Sequence, residues 1–228
     1  MATAPVLPEL DFEAMTAEEL LVWANERFGT RLCLTCSWQR QSSALVHMVS
    51  DLGLDVDVVE LDTQVLFAET YETRDRLVER YRLELKSFRP IAAPDRLWET
   101  DPDGCCGIRK VEPLERALRG YDAWITGIRR EQSPSRAAAQ KVEWSERYGV
   151  WKIQPLVDWD AKRVQAYIHV NEIPYNPLHD RGYPSIGCVP CTRAVIAGED
   201  ERAGRWSGSG KLECGIHVNA PLIKESND

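Results

Sequence analysis

Short apolar runs alternate with amphipathic stretches along the chain. Thr16-Ala-Glu-Glu19 has the form of a capping box, in which the Thr16 hydroxyl takes the amide of residue 19 and Glu19 reaches back. The helix it opens runs through Leu20, Leu21, Trp23 and Ala24 to Phe28, and Gly29 stops it. Residues 31–36 read as a strand and 37–43 as a polar loop. Ser42 or Ser43 then opens a helix with Leu45, Val46 and Val49 on one face, ending at Gly53. Residues 56–61 form the next strand, apolar enough to be buried on both faces. A helix is expected over 63–82, and Leu85 begins a third strand. Residues 123–126 and 150–153 are two more. Asp158 or Asp160 caps a helix through Val164, Tyr167 and Ile168, which Pro174 and Pro177 end. Internal repeats are absent from the sequence.

Strands alternating with helices predict βαβ units, hence an α/β fold with a mostly parallel sheet flanked by helices. In such folds ligands bind at the carboxyl ends of strands. That rule gathers three loops: 37–43, 62–64 and 126–130. The first is rich in hydroxyls and amides and leads into a helix N-terminus, which suits a phosphate or sulfate. The common NTPase phosphate loop is absent from the sequence.

Composition narrows the class. With 228 residues the chain is one large domain, or one domain with an appended lobe. A net charge of −8 argues against a general nucleic-acid binder. No stretch approaches the ~20 apolar residues of a membrane span, and the first residues lack the basic and apolar regions of a signal peptide. The expectation is a cytoplasmic protein with neither nucleic acid nor membrane as partner. Its seven cysteines then serve as metal ligands, working thiols or buried small residues.

Cys105-Cys106 and Cys188-Val-Pro-Cys191 supply four thiols, enough for a tetrahedral zinc site or a [4Fe–4S] cluster. Adjacent cysteines on a single ion would need a hard bend, whereas a cubane presents separate irons, so the geometry favours the cluster. Cys33-Leu-Thr-Cys36 lies within a predicted strand, where the two side chains point to opposite faces, and is read as structural. Cations gather near the cysteines and at strand ends: Lys110, Arg129, Arg193, Arg202 and Arg205. In an acidic chain that grouping suggests a pocket for a polyanion. Cys214 stands apart from the other cysteines, behind Ser207-Gly-Ser-Gly-Lys211. Gly-Ser composition makes a flexible tether, and cations around a thiol favour its nucleophilic thiolate. Residues 1–206 are therefore read as an α/β domain carrying the cysteine centre. Residues 207–228 are read as a mobile C-terminal tail.

The motifs together resemble a known family. They are Cys105-Cys106-Gly-Ile-Arg-Lys110, Thr126-Gly-Ile-Arg-Arg-Glu-Gln-Ser-Pro-Ser-Arg136, Gly187-Cys188-Val-Pro-Cys191-Thr-Arg193, Arg202-Ala-Gly-Arg205-Trp206 and Glu213-Cys214-Gly-Ile-His217. This set resembles the assimilatory adenylylsulfate (APS) reductases of the sulfonucleotide reductase family, over about residues 30–218. The resemblance implies an adenine nucleotide α-hydrolase-like, Rossmann-like fold, and so makes residues 1–206 a nucleotide-binding domain. It implies a [4Fe–4S] cluster on Cys105, Cys106, Cys188 and Cys191, and Cys214 as nucleophile. It also implies thioredoxin-dependent reduction of APS to sulfite and AMP through an S-sulfocysteine, in sulfate assimilation and cysteine biosynthesis. Lys110, Arg202 and Arg205 would hold the phosphosulfate, helped by the Ser37 loop and Arg129, while Asp62 and Thr63 border the nucleotide. Arg193 and His217 complete the candidate substrate site. Thioredoxin or glutaredoxin is the expected reductant, and a homo-oligomer is compatible with the chain.

Two departures stand out. The phosphate loop reads Ser37-Trp-Gln-Arg-Gln-Ser-Ser43, and Gln64 stands where a glycine often follows Asp-Thr in the family. Competing readings are a reductase of the 3′-phosphorylated nucleotide (PAPS) or of both nucleotides, and a zinc-stabilised binding module. A tRNA-thiolating ATP pyrophosphatase would need a Ser-Gly-Gly-x-Asp-Ser type loop, which is missing.

Overall fold

A computed structural model describes residues 4–208, 211 and 213–217. The six strands are β1 (Leu32–Cys36), β2 (Asp57–Leu61), β3 (Leu85–Phe88), β4 (Ala123–Ile125), β5 (Val142–Ser145) and β6 (Val150–Ile153). They form one sheet in the order β3-β2-β1-β4-β6-β5. Every pairing is parallel except that of β5 with β6. The mostly parallel sheet read from the sequence is borne out.

The main helices are α1 (Ala17–Phe28), α2 (Arg40–Asp51) and α3 (Ala68–Tyr81), followed by α4 (Leu97–Thr100), α5 (Pro102–Cys106), α6 (Glu112–Ala117) and α7 (Ala161–Val170). Thr16 closes the expected capping box on α1, and Asp160 caps α7. Two apolar clusters cover the two faces of the sheet. The larger joins α1, α2 and α7 to β1, with Leu21, Leu34, Leu45 and Ile168 buried. The smaller packs α6 on β4 through Leu114 and Trp124. Cys36 belongs to the first cluster and Cys33 to the second, so the pair does face opposite sides of β1.

Three boundaries differ from the sequence expectation. The second helix begins at Arg40, two residues earlier than predicted, with the Ser42 hydroxyl accepting the Gln39 N–H at 3.1 Å across its first turn. Residues 63–67 are not helical, and α3 begins only at Ala68, after an extended Phe67. The released segment curls over the carboxyl end of β2 and supplies Thr63 and Leu66 to a cleft. The segment 97–117 is almost wholly helical and includes a π-helical turn, Gly107–Val111, directly after the first cysteine pair. Such turns are rare and recur at functional sites, since they re-aim side chains without ending a helix. Among the described residues no helix is long and apolar enough to cross a membrane.

Candidate active site

A cleft of about 170 Å³ opens at the carboxyl ends of β1, β2 and β4. Its walls include Ser37, Trp38 and Gln39 from the first loop, Thr63 from the second, and Thr126, Gly127 and Ile128 from the third. The three loops named by the strand-end rule therefore meet. Lys110, Arg136, Arg202 and Arg205 bring cations to the same walls, and Cys214 and His217 come from the far end of the chain.

Each wall is fixed by a local device. Trp38 adopts φ +57 yet is almost wholly buried, and its indole donates to the Glu60 carboxylate at 2.9 Å. A bulky residue in the left-handed region is strained, and here a buried hydrogen bond and close packing hold it. Gln64 also has a positive φ, +64. The residue that replaces the expected glycine thus keeps the glycine-like backbone, and the Asp62 carboxylate accepts its N–H at 2.9 Å. Arg205 is buried and donates to Ser185 and to the Ile186 carbonyl, both at 3.2 Å. Its guanidinium lies against Gly187, where any side chain would collide with it.

A second, smaller cavity is lined by Cys105, Cys106, Cys188 and Cys191. The first two arrive at the end of α5. Neighbouring helical positions diverge by ~100°, so these two thiols approach from different directions. The other two bracket a short 3₁₀ turn held by the Val189 N–H on the Val65 carbonyl at 2.8 Å. Cys188 also meets the Thr63 hydroxyl at 3.3 Å. Arg109 braces the arrangement by donating to the Thr63 carbonyl at 2.7 Å. Burial raises the pKa of Cys105, Cys106 and Cys191, with Cys106 pushed up to about 11, and the proximity of Cys188 adds to the rise at all three. Four thiolates packed together would repel one another unless a cationic centre joined them. Among the described residues no three His, Cys, Asp or Glu side chains stand close enough to hold a single metal ion.

Lys110 lines both cavities. Burial works against its charge, but the electrostatic pull of the surrounding cysteines, Cys188 first, more than offsets that, and its pKa is raised. The ammonium therefore stays protonated between the cysteine centre and the cleft.

The cleft does not take in every candidate. Arg129 is buried away from its wall, paired with Glu131 at 3.1 Å and with both oxygens of Glu201 at 3.0 Å. Arg193 is partly exposed and holds Glu199 at 2.8 Å. Asp62 sits behind Thr63, accepting from Tyr71 at 2.7 Å and Arg89 at 2.8 Å, and so shapes the β2 loop from outside. These three side chains are committed to carboxylate, hydroxyl or guanidinium partners off the cleft wall. Several residues at the site had no role read from sequence, among them Arg136 and Gln132. Arg136 was visible only as the last residue of its motif, and Gln132 lies four positions before it.

The tail motif is docked on the cleft. His217 stacks on Trp124 with ring centres 5.4 Å apart and planes 8° from parallel, and burial lowers its pKa well below the ordinary value, keeping it neutral. Ile216 packs on the smaller apolar cluster, and Arg147 donates to the Gly215 carbonyl at 3.2 Å. The tether residues Ser209 and Gly210, with Leu212 and 218–228 of the expected tail, lie outside the described residues.

A mostly parallel sheet carries, at its strand ends, a cleft whose walls bring cations together with a thiol from the C-terminal segment, and this defines an α/β protein with an anion-suited pocket. The chain belongs to the phosphoadenosine phosphosulfate reductase domain family, whose model matches residues 31–194. It is 46% identical over 208 residues to the adenosine 5′-phosphosulfate reductase of Halalkalibacterium halodurans, covering 87% of this chain and 90% of that protein. It is 42% identical over 225 residues to the enzyme of that name from Staphylococcus epidermidis, covering 94% and 93%. Among solved structures, the phosphoadenylyl-sulfate (PAPS) reductase of Candida auris in a phosphate complex superposes with a TM-score of 0.74 at 30% identity. That match covers 84% of this chain and all of the other. The FMN adenylyltransferase of Candida glabrata shares the fold alone, at 14% identity, a TM-score of 0.59, and 78% and 60% coverage.

Proposed function

We propose that the chain is a thiol-dependent adenylylsulfate reductase, converting APS to sulfite and AMP through an S-sulfocysteine on Cys214. The observation that carries this reading is the placement of Cys214 on a cleft wall shared with Lys110, Arg202, Arg205 and the three strand-end loops. The curated relatives bearing the APS name, at 40–46% identity, support the unphosphorylated nucleotide as substrate.

The strand-end loops hold the adenosine moiety, and the cations hold the phosphosulfate. The Cys214 thiolate attacks the sulfur, the bond from sulfur to the bridging oxygen breaks, and AMP leaves with the electron pair. Lys110 and the arginines meet the charge that develops on the leaving phosphate. A thiolate of a dithiol reductant of the thioredoxin or glutaredoxin class then attacks the Cys214 sulfur and expels sulfite. Its second thiol resolves the mixed disulfide and frees Cys214. Both electrons come from thiols. Residues 207–228 act as the segment that delivers Cys214 to the cleft.

Cys105, Cys106, Cys188 and Cys191 would hold a [4Fe–4S] cluster. All four thiols line one cavity beside Lys110, with the neighbouring Cys105 and Cys106 approaching it from different directions, and an all-thiol donor set of this kind suits an iron–sulfur centre. Its contribution, when bound, is electrostatic. Cys188→Ser should purify with most of its iron and acid-labile sulfide lost. Full iron retention in that variant, or stoichiometric zinc in a colourless wild-type protein, would remove the cluster assignment.

Intact mass tests the reaction itself. Reduced protein mixed with APS, without reductant, should gain one SO₃ group that thioredoxin releases as sulfite. A faster gain from PAPS would transfer the assignment to the 3′-phosphorylated nucleotide, and no gain from either would sink the covalent mechanism.

A further inference from the structure

Glu213 is the carboxylate next to the nucleophile, and its surroundings are unlike those of a surface acid. It is largely buried and lies in a fork of Arg136, which donates through Nε at 2.8 Å to one oxygen and through Nη2 at 2.9 Å to the other. Arg202 donates to the second oxygen at 3.1 Å. The hydroxyls of Ser135 and Ser133 donate to the first oxygen at 3.2 and 3.4 Å. Both arginines also line the cleft. Arg136 is itself held by Gln132, whose carbonyl accepts from its Nη1 at 2.5 Å. Burial would raise the Glu213 pKa, but the hydrogen bonds and charges of Arg136, with Arg202, more than offset it. The carboxylate therefore stays ionised through the neutral range.

A bidentate pair fixes direction as well as distance. Arg136 and Glu213 come from turns 77 residues apart, and each keeps only about a tenth of its side chain exposed. Such a grip one residue before Cys214 fixes where the backbone enters the site. On the other side of the thiol, Gly215 turns the chain at φ +88 against Val111 of the π-helical turn. The thiol thus lies between a charged clamp and a tight turn.

We infer that Glu213 is a positioning residue. Its carboxylate, clamped by Arg136 and Arg202, sets the Cys214 thiol over the cleft and ties that placement to two of the arginines facing the substrate anion. Breaking the clamp leaves the nucleotide pocket intact but displaces the nucleophile. This inference rests on the reductase reading for its kinetic consequence, though not for its structural one.

The test is Glu213→Gln in the full chain, read in two ways. Misplacing a nucleophile by about an ångström costs ~10²-fold. Single-turnover SO₃ transfer from APS should therefore slow by about that factor, while APS binding to the variant stays at the wild-type level. Independently of any turnover, iodoacetamide should alkylate Cys214 faster in the variant than in the wild type, and bound nucleotide should not restore protection. Arg136→Lys keeps the cation but loses the fork, and should reproduce both changes if the glutamine variant does not fold. Wild-type rates of transfer and alkylation in a folded variant would overturn the inference. Failure of the wild-type protein to take up SO₃ would overturn the reductase reading instead, leaving the alkylation comparison to judge the clamp.

Discussion

Cys214→Ser protein mixed with APS gains no mass, and its steady-state turnover falls roughly 10⁴-fold or more, the scale at which deletion of a nucleophile leaves only binding and electrostatic assistance. A serine hydroxyl stays protonated where a thiol ionises, so the substitution removes the attacking species without altering shape. Nucleotide binding and iron content should match the wild type, because the variant keeps every cleft cation and all four cysteines of the second cavity. Neither thiol of the β1 pair can take over. Cys33 is fully buried, and burial raises its pKa. Cys36 borders the cleft, but burial pushes its thiol up to about 12. Mass spectrometry of the protein and of its peptides checks the result. An SO₃ group found on Cys36 in the variant would show that the nucleophile had been misassigned.

Lys110→Ala is the second large effect. Lys110 lines both cavities, so it is the one described cation wall that the cleft shares with the cysteine centre. Loss of a preorganised charge aimed at a leaving group costs ~10²–10³-fold in turnover. The loss should fall on the rate of SO₃ transfer more than on nucleotide affinity, since Arg202 and Arg205 remain to bind the anion. Lys110→Arg should recover part of the rate, because it restores charge with a bulkier, planar head. Iron should be retained in the alanine variant, though its visible spectrum should move as the nearby positive charge is lost. Stopped-flow or quenched mass measurements of transfer, beside a nucleotide titration, separate the two effects. Unaltered transfer with weakened binding would make Lys110 a simple anchor.

Much of this molecule is written in local pattern. The Thr16 capping box, the β1 to β4 strands and the alternation that dictates a parallel sheet all arise from interactions within a few residues of one another. Once the sheet is parallel, strand-end loops must converge, and the 37–43, 62–64 and 126–130 loops do. The spacing of the two cysteine pairs was equally legible, and the four side chains line one cavity.

Other features were decided by tertiary packing. β5 was not foreseen: Val142–Ser145 is short, and β6 pairs with it antiparallel at the sheet edge. The helical run around Cys105 was missed because the cysteines and glycines there weaken the local helical signal. Arg129, Arg193 and Asp62 lie beside site motifs, yet each is turned to a carboxylate, hydroxyl or guanidinium partner off the cleft wall.

The sequence by itself determined the fold class, the four-cysteine set and the isolated thiol, because helix periodicity, turn residues and cysteine spacing are short-range properties. Only the tertiary structure decided which cations face the cleft, and that Arg136 and Arg202 grip Glu213 beside Cys214. Ion pairing depends on distance in space, which the order of residues along a chain does not record.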